Sequence, residues 1–132
     1  MSACVNGHYQ VVELLLKENL NPNHQRQQDG VTALILASEK GHHQVVEFLL
    51  KENADPNLQK EDGWTALMFG SQNGHHQVVE LLLNENANPN HQGKDGWTAL
   101  MSACQKGRHQ VVELLLKENA DPNLQTQTDG LL

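Results

Sequence analysis

The sequence predicts an all-α solenoid of stacked helix-turn-helix units with extended, β-hairpin-like fingers between them. Three observations carry this. Markers of different chemistry recur with one period: glycines at Gly7, Gly41, Gly74 and Gly107 step by 34, 33 and 33 residues. Prolines at Pro22, Pro56, Pro89 and Pro122 keep the same step, as do the Asp-Gly turns ending at Gly30, Gly63, Gly96 and Gly130. A fixed period of this length is the mark of a stacked-unit architecture. Next, each period holds an apolar set at helical spacing. Finally, hydrophobic residues make up 38% of the 132-residue chain and aromatics 4%. That is lean for a spherical core but sufficient for a ribbon of small aliphatics.

One unit shows the local logic. Asp62-Gly63 is a turn signal. Thr65 stands at a helix N-cap, and Ala66-Leu67-Met68-Phe69 opens a short helix that ends near Gly74. A second helix runs from about His76 to Glu85. Val78, Val79, Leu82 and Leu83 share one face, with Glu80 and Asn84 opposite. Asn86 closes it in the left-handed conformation, and Pro89 forces Asn88 into extended geometry. The chain then runs out into a finger until the next Asp-Gly. The array is a single domain over 1–132. Its units fall at about 1–28 (truncated at its start), 29–61, 62–94 and 95–128, with a partial unit at 129–132. Such ends suggest a piece of a longer array, with Val111, Leu115 and Leu131 poorly covered and able to drive end-to-end self-association. The expected core ribbon is Leu34, Leu67 and Leu100 from first helices. Second helices add Val12, Val46, Val79 and Val112 with Leu16, Leu50, Leu83 and Leu116. The first finger carries one residue more than the next two, so its tip is expected to bulge.

The repeated pattern D-G-x-T-A-L, then G-H-x-x-V-V-x-L-L-L and N-A-D-P-N, resembles the ankyrin repeat. It departs from that family in places. Thr-Ala-Leu-Ile (Thr32–Ile35) and Thr-Ala-Leu-Met (Thr65–Met68, Thr98–Met101) replace the usual Thr-Pro-Leu-His. Asn19, Asn53, Asn86 and Asn119 replace a glycine, and Gly70 replaces a helix alanine.

The resemblance implies a non-catalytic module that binds a protein or peptide on a concave face of fingers and first helices. The residue between Gly and Thr would point along that face: Val31, Trp64 and Trp97. Both tryptophans of the chain occupy this position, and tryptophan is enriched at interaction hot spots. Asp29, Glu61, Asp62, Lys94 and Asp95 would surround them on the finger tips. Glu39, Lys40, Gln72, Asn73, Gln105 and Lys106 would do so at the first-helix ends. A second reading of the same near-copies is a structural spacer or engineered repeat scaffold with no dedicated partner.

Other classes are disfavoured. Lys and Arg number 9 against 16 Asp and Glu, a net charge of −7, so the chain does not attract nucleic-acid backbones. Apolar runs are broken by Glu and too short for membrane insertion. No phosphate-loop, nucleophile-elbow, dinucleotide or zinc-protease motif occurs, so no catalytic residue or cofactor is expected. His42-His43 and His75-His76 repeat at the second-helix starts, but adjacent residues diverge on a helix. No metal is expected, and these histidines are read as caps that orient the turn. Cys4 and Cys104 fall three units apart, roughly 30 Å at about 10 Å per unit. That is beyond disulfide reach, and free thiols suit an intracellular location, cytoplasmic or nuclear.

Overall fold

The computed structural model describes residues 21–125. Six helices occur in this range: α1 (Ala33–Lys40), α2 (His43–Lys51), α3 (Ala66–Gln72), α4 (His76–Asn84), α5 (Ala99–Gln105) and α6 (His109–Lys117). They form three helix-turn-helix units, and the described residues include no named strand.

The odd-numbered helices start for one reason. Thr32, Thr65 and Thr98 hold extended backbone, and their hydroxyls accept from the amides of Ile35, Met68 and Met101 at 3.1, 3.4 and 3.2 Å. A threonine cap of this kind contributes about 1 kcal/mol. Two residues past the ends of the even-numbered helices, Asn53, Asn86 and Asn119 turn the chain away, each left-handed with φ of 69°, 68° and 72°. Asparagine tolerates that region better than most residues.

His42 and His75 correct an expectation: neither makes a side-chain cap to its own helix. The His75 ring reaches back to the preceding unit, where Nε2 donates to the Glu39 carbonyl at 3.1 Å. Arg108 takes the same place one unit on, and its Nε donates to the Gln72 carbonyl at 3.1 Å. Gly41 (φ 76°) must be glycine on two counts, since a Cβ there would stand 2.6 Å from His75 Nδ1.

The units stack in two layers. α1, α3 and α5 pack in one row and α2, α4 and α6 in the other, with each odd helix packed on its even partner. Small residues line the first row: Ala33, Ala37, Ala66, Gly70, Ala99 and Ala103 are all buried. The central α4, packed on both α2 and α6, buries Val78, Val79, Leu82 and Leu83, and α6 buries Val111 and Leu115.

This phase revises the predicted core. Leu34, Leu67, Leu100, Val46, Val79 and Leu83 are buried as expected. The innermost second-helix leucines, however, are Leu49, Leu82 and Leu115, while Leu50 and Val112 are half-buried and Leu116 is 47% exposed. Val111 and Leu115 therefore do not form an open end, and Leu116 is the apolar residue exposed on α6. Val12, Leu16, Cys4, Asn19 and Leu131 lie outside the described residues.

Backbone and amide bonds tie each unit to the next. Asn23, Asn57 and Asn90 accept through Oδ1 from the amides of Asp55, Asn88 and Asp121 at 2.6, 2.7 and 2.6 Å. Their Nδ2 groups donate to the carbonyls of Asn53, Asn86 and Asn119 at 3.4, 3.2 and 3.2 Å. One side chain thus holds both sides of the next unit's left-handed turn. The finger tips join as well: Glu61 N donates to Asp29 O at 2.7 Å and Lys94 N to Asp62 O at 3.0 Å. The longer first finger does bulge. Its turn closes from Gly30 N to Arg26 O, four residues back, where the others close from Gly63 to Lys60 and Gly96 to Gly93, three back.

Asn57→Ala removes two bonds to the next unit and is expected to lower unfolding free energy by about 1–2 kcal/mol, measured by urea denaturation. Gly70→Ala is expected to raise it by about 0.5–1 kcal/mol in the same assay. A Cβ at Gly70 would meet Val78 Cγ1 at 3.2 Å, and Ala37 and Ala103 already fill the equivalent places in the units on either side.

Candidate functional site

The finger exits are built by one device. Asp29, Asp62 and Asp95 each accept through Oδ1 from the amide two residues on, in Val31, Trp64 and Trp97, at 3.1, 3.0 and 3.0 Å. These Asx turns place the same backbone position at the same point in every unit.

The side chains they place behave differently. Val31 is a correction: it is 6% exposed and belongs to the core, because its short side chain packs down where indoles cannot be fully covered. Trp64 and Trp97 are half-buried. The Trp64 ring lies 5.1 Å from Phe69, tilted by 51°, packs against the core and also lies against the next finger. A Cβ at Gly93 would stand 2.9 Å from Trp64 Cδ1, so glycine there gives the indole its seat. Lys60 Nζ lies 5.9 Å from the Phe69 ring and 3.1 Å from Asp62 Oδ2. The sequence places Phe69 only as a residue of the first helix, with no role beside Trp64, and does not single out Gly93. The available signal was their departure from the other units, which carry Leu36 and Ser102, and Lys60, at those positions.

The finger-tip charges are largely engaged. Arg26 grips Asp29 with two bonds, Nη2–Oδ2 at 2.7 Å and Nε–Oδ1 at 3.0 Å. With the Val31 amide adding to this, the Asp29 carboxyl is lowered to about 2, and the Arg26 guanidinium is raised. Asp29, Glu61 and Lys94 line one open cleft of about 450 Å3 across the tips, together with Arg26 and Lys60. At the first-helix ends Lys40, Gln105 and Lys106 are exposed, and Glu39, Gln72 and Asn73 are half-buried. Asn73 Nδ2 donates to the Glu39 carbonyl at 3.0 Å, so its amide serves the stack.

Charge divides between the two layers. Fingers and first helices carry Arg26, Lys40, Lys60, Lys94 and Lys106 against Asp29, Glu39, Glu61, Asp62 and Asp95, a neutral set. The second helices, their N-caps and the turns after them carry Lys51, Arg108 and Lys117 against Glu47, Glu52, Asp55, Glu80, Glu85, Glu113, Glu118 and Asp121. All the net negative charge between residues 21 and 125 therefore lies on the second-helix side. Among the described residues, no three His, Cys, Asp or Glu side chains converge as metal ligands. No described helix is long and apolar enough to cross a membrane. Cys104 is an exposed free thiol.

A family model described as ankyrin repeats in three copies matches residues 1–60 and 52–126. The chain belongs to the ankyrin-repeat family. No curated protein matches it. Ankyrin repeats are in general protein–protein interaction modules and typically non-catalytic.

The Asp29–Arg26 pair sets a pH dependence. The folded carboxyl sits below its unfolded value of about 3.9. Its contribution is therefore present above that pH and lost as pH falls through about 2. Both side chains are partly exposed, which limits the contribution to about 0.2–1 kcal/mol. Carboxyl NMR should place the Asp29 midpoint near 2, and Arg26→Gln should return it toward about 3.9.

Proposed function

We propose that this ankyrin array is a non-catalytic module that docks a protein or peptide partner on the face built from its fingers and first helices. The observation that carries the reading is Trp64 and Trp97 at equivalent positions on adjacent fingers, each half-exposed and set by an aspartate turn. The Trp64 indole, held against Phe69, loses little freedom on binding, which favours it as an anchor. Glu61, Lys94, Lys40, Gln105 and Lys106 supply an exposed polar rim of mixed sign. Such a rim suits hydrogen bonding around aromatic anchors more than long-range steering. Asp62 and Asp95 act mainly by placing the tryptophans. The unpaired Cys104 thiol suits a reducing, intracellular setting.

The test is affinity capture with the intact chain, followed by calorimetry on the captured partner. Trp97→Ala and the Trp64→Ala/Trp97→Ala double variant are expected to weaken binding by about 30-fold or more. Unchanged affinity in the double variant overturns the assignment and favours a spacer. Thermal unfolding of each variant separates lost docking from lost folding, since Trp64 also packs on Phe69.

A further inference from the structure

The outer row of second helices carries an apolar line that the finger face does not use. On α2, Phe48 is 54% exposed. Its equivalents Leu81 and Leu114 rest partly on the core and remain half-open. Each is preceded by an exposed acid: Glu80, Glu113 and Glu47, the last paired with Lys51 of its own helix at 3.3 Å in a solvent-exposed contact that a partner's cation can replace. Between α4 and α6 an open groove of about 330 Å3 is lined by His76, Glu80, Gln110, Glu113, Leu114 and Lys117. An apolar row and an acidic row thus run side by side across the layer that holds the net negative charge.

Spacing selects the shape of an occupant. Packed helices lie roughly 10 Å apart, so Phe48, Leu81 and Leu114 recur with about that step. A helix rising about 1.5 Å per residue returns nearly the same face after seven residues, about 10.5 Å on. A strand returns the same face every ~6.7 Å and falls out of step.

We propose that α2, α4 and α6 form a second docking surface for a basic amphipathic helix of a partner protein, laid across the three helices. Its apolar residues, seven apart, cover Phe48, Leu81 and Leu114, and its Lys or Arg residues face Glu47, Glu80 and Glu113. This surface lies on the layer of second helices, not on the tryptophan fingers, and its occupancy does not depend on theirs.

The probe is a synthetic helical peptide of about three heptads with Leu at seven-residue spacing and Lys on either side. Binding to the full 132-residue chain is read by fluorescence anisotropy. The peptide is expected to bind. Glu80→Lys with Glu113→Lys, and separately Phe48→Ser, should weaken it about tenfold or more. These side chains are solvent-facing, and circular dichroism confirms that each variant keeps its fold. Several results overturn the proposal. They are no binding by the parent chain, full affinity in the Glu variant or in Phe48→Ser, or equal binding of a peptide with Lys replaced by Glu. Equal binding of a same-charge peptide with its Leu spacing scrambled, or of a Lys-rich polyproline peptide, also does so. Loss of binding in Trp97→Ala places the peptide on the fingers and does the same.

Discussion

No unit of this array owns a core, and that constraint organises everything else. A helix pair of about 16 residues buries too little apolar surface to offset the entropy of ordering its chain. Its inner face is closed only by the next pair. The central α4 illustrates this: it packs on both α2 and α6, and buries Val78, Val79, Leu82 and Leu83 between them. A strict repeat follows, because each unit is both the lid of one neighbour and the floor of the other.

The polar bonds obey the same register. Asn57 closes the turn of the unit after it, and His75 and Asn73 converge on the carbonyl of Glu39 in the unit before. These contacts join residues about one period apart, so an insertion is tolerated only where none of them is shifted. The longer first finger meets that condition. Its extra residue is absorbed in the turn between Arg26 and Gly30, and the tip bond from Glu61 to Asp29 survives. The Arg26–Asp29 pair then braces the wider turn.

Function in such a frame falls to positions the stack leaves half-covered. Val31 and Trp64 share one backbone site and one aspartate turn, but valine sinks into the core and tryptophan cannot. Trp64 lies between Phe69 and the space that Gly93 leaves open. Anchor and scaffold are therefore one side chain seen from two sides. The second helices show the same economy: Leu82 is interior, while its neighbour Leu81 keeps one side toward the groove layer.

Much was legible from the residues alone, because it depends on local chemistry. Threonine caps, left-handed asparagines, Asp-Gly turns and the unit period follow from what each side chain does to its own backbone. They hold in the structure at every copy described. Tertiary contact decided the rest. Leu49 lies inward rather than Leu50, Val31 is core rather than contact, and His75 serves the unit before it rather than its own helix. The reason is physical: a period fixes which residues are equivalent, but adjacent helix positions differ by about 100° of rotation. Only the neighbouring unit, by its distance and angle, selects which of two apolar neighbours turns inward.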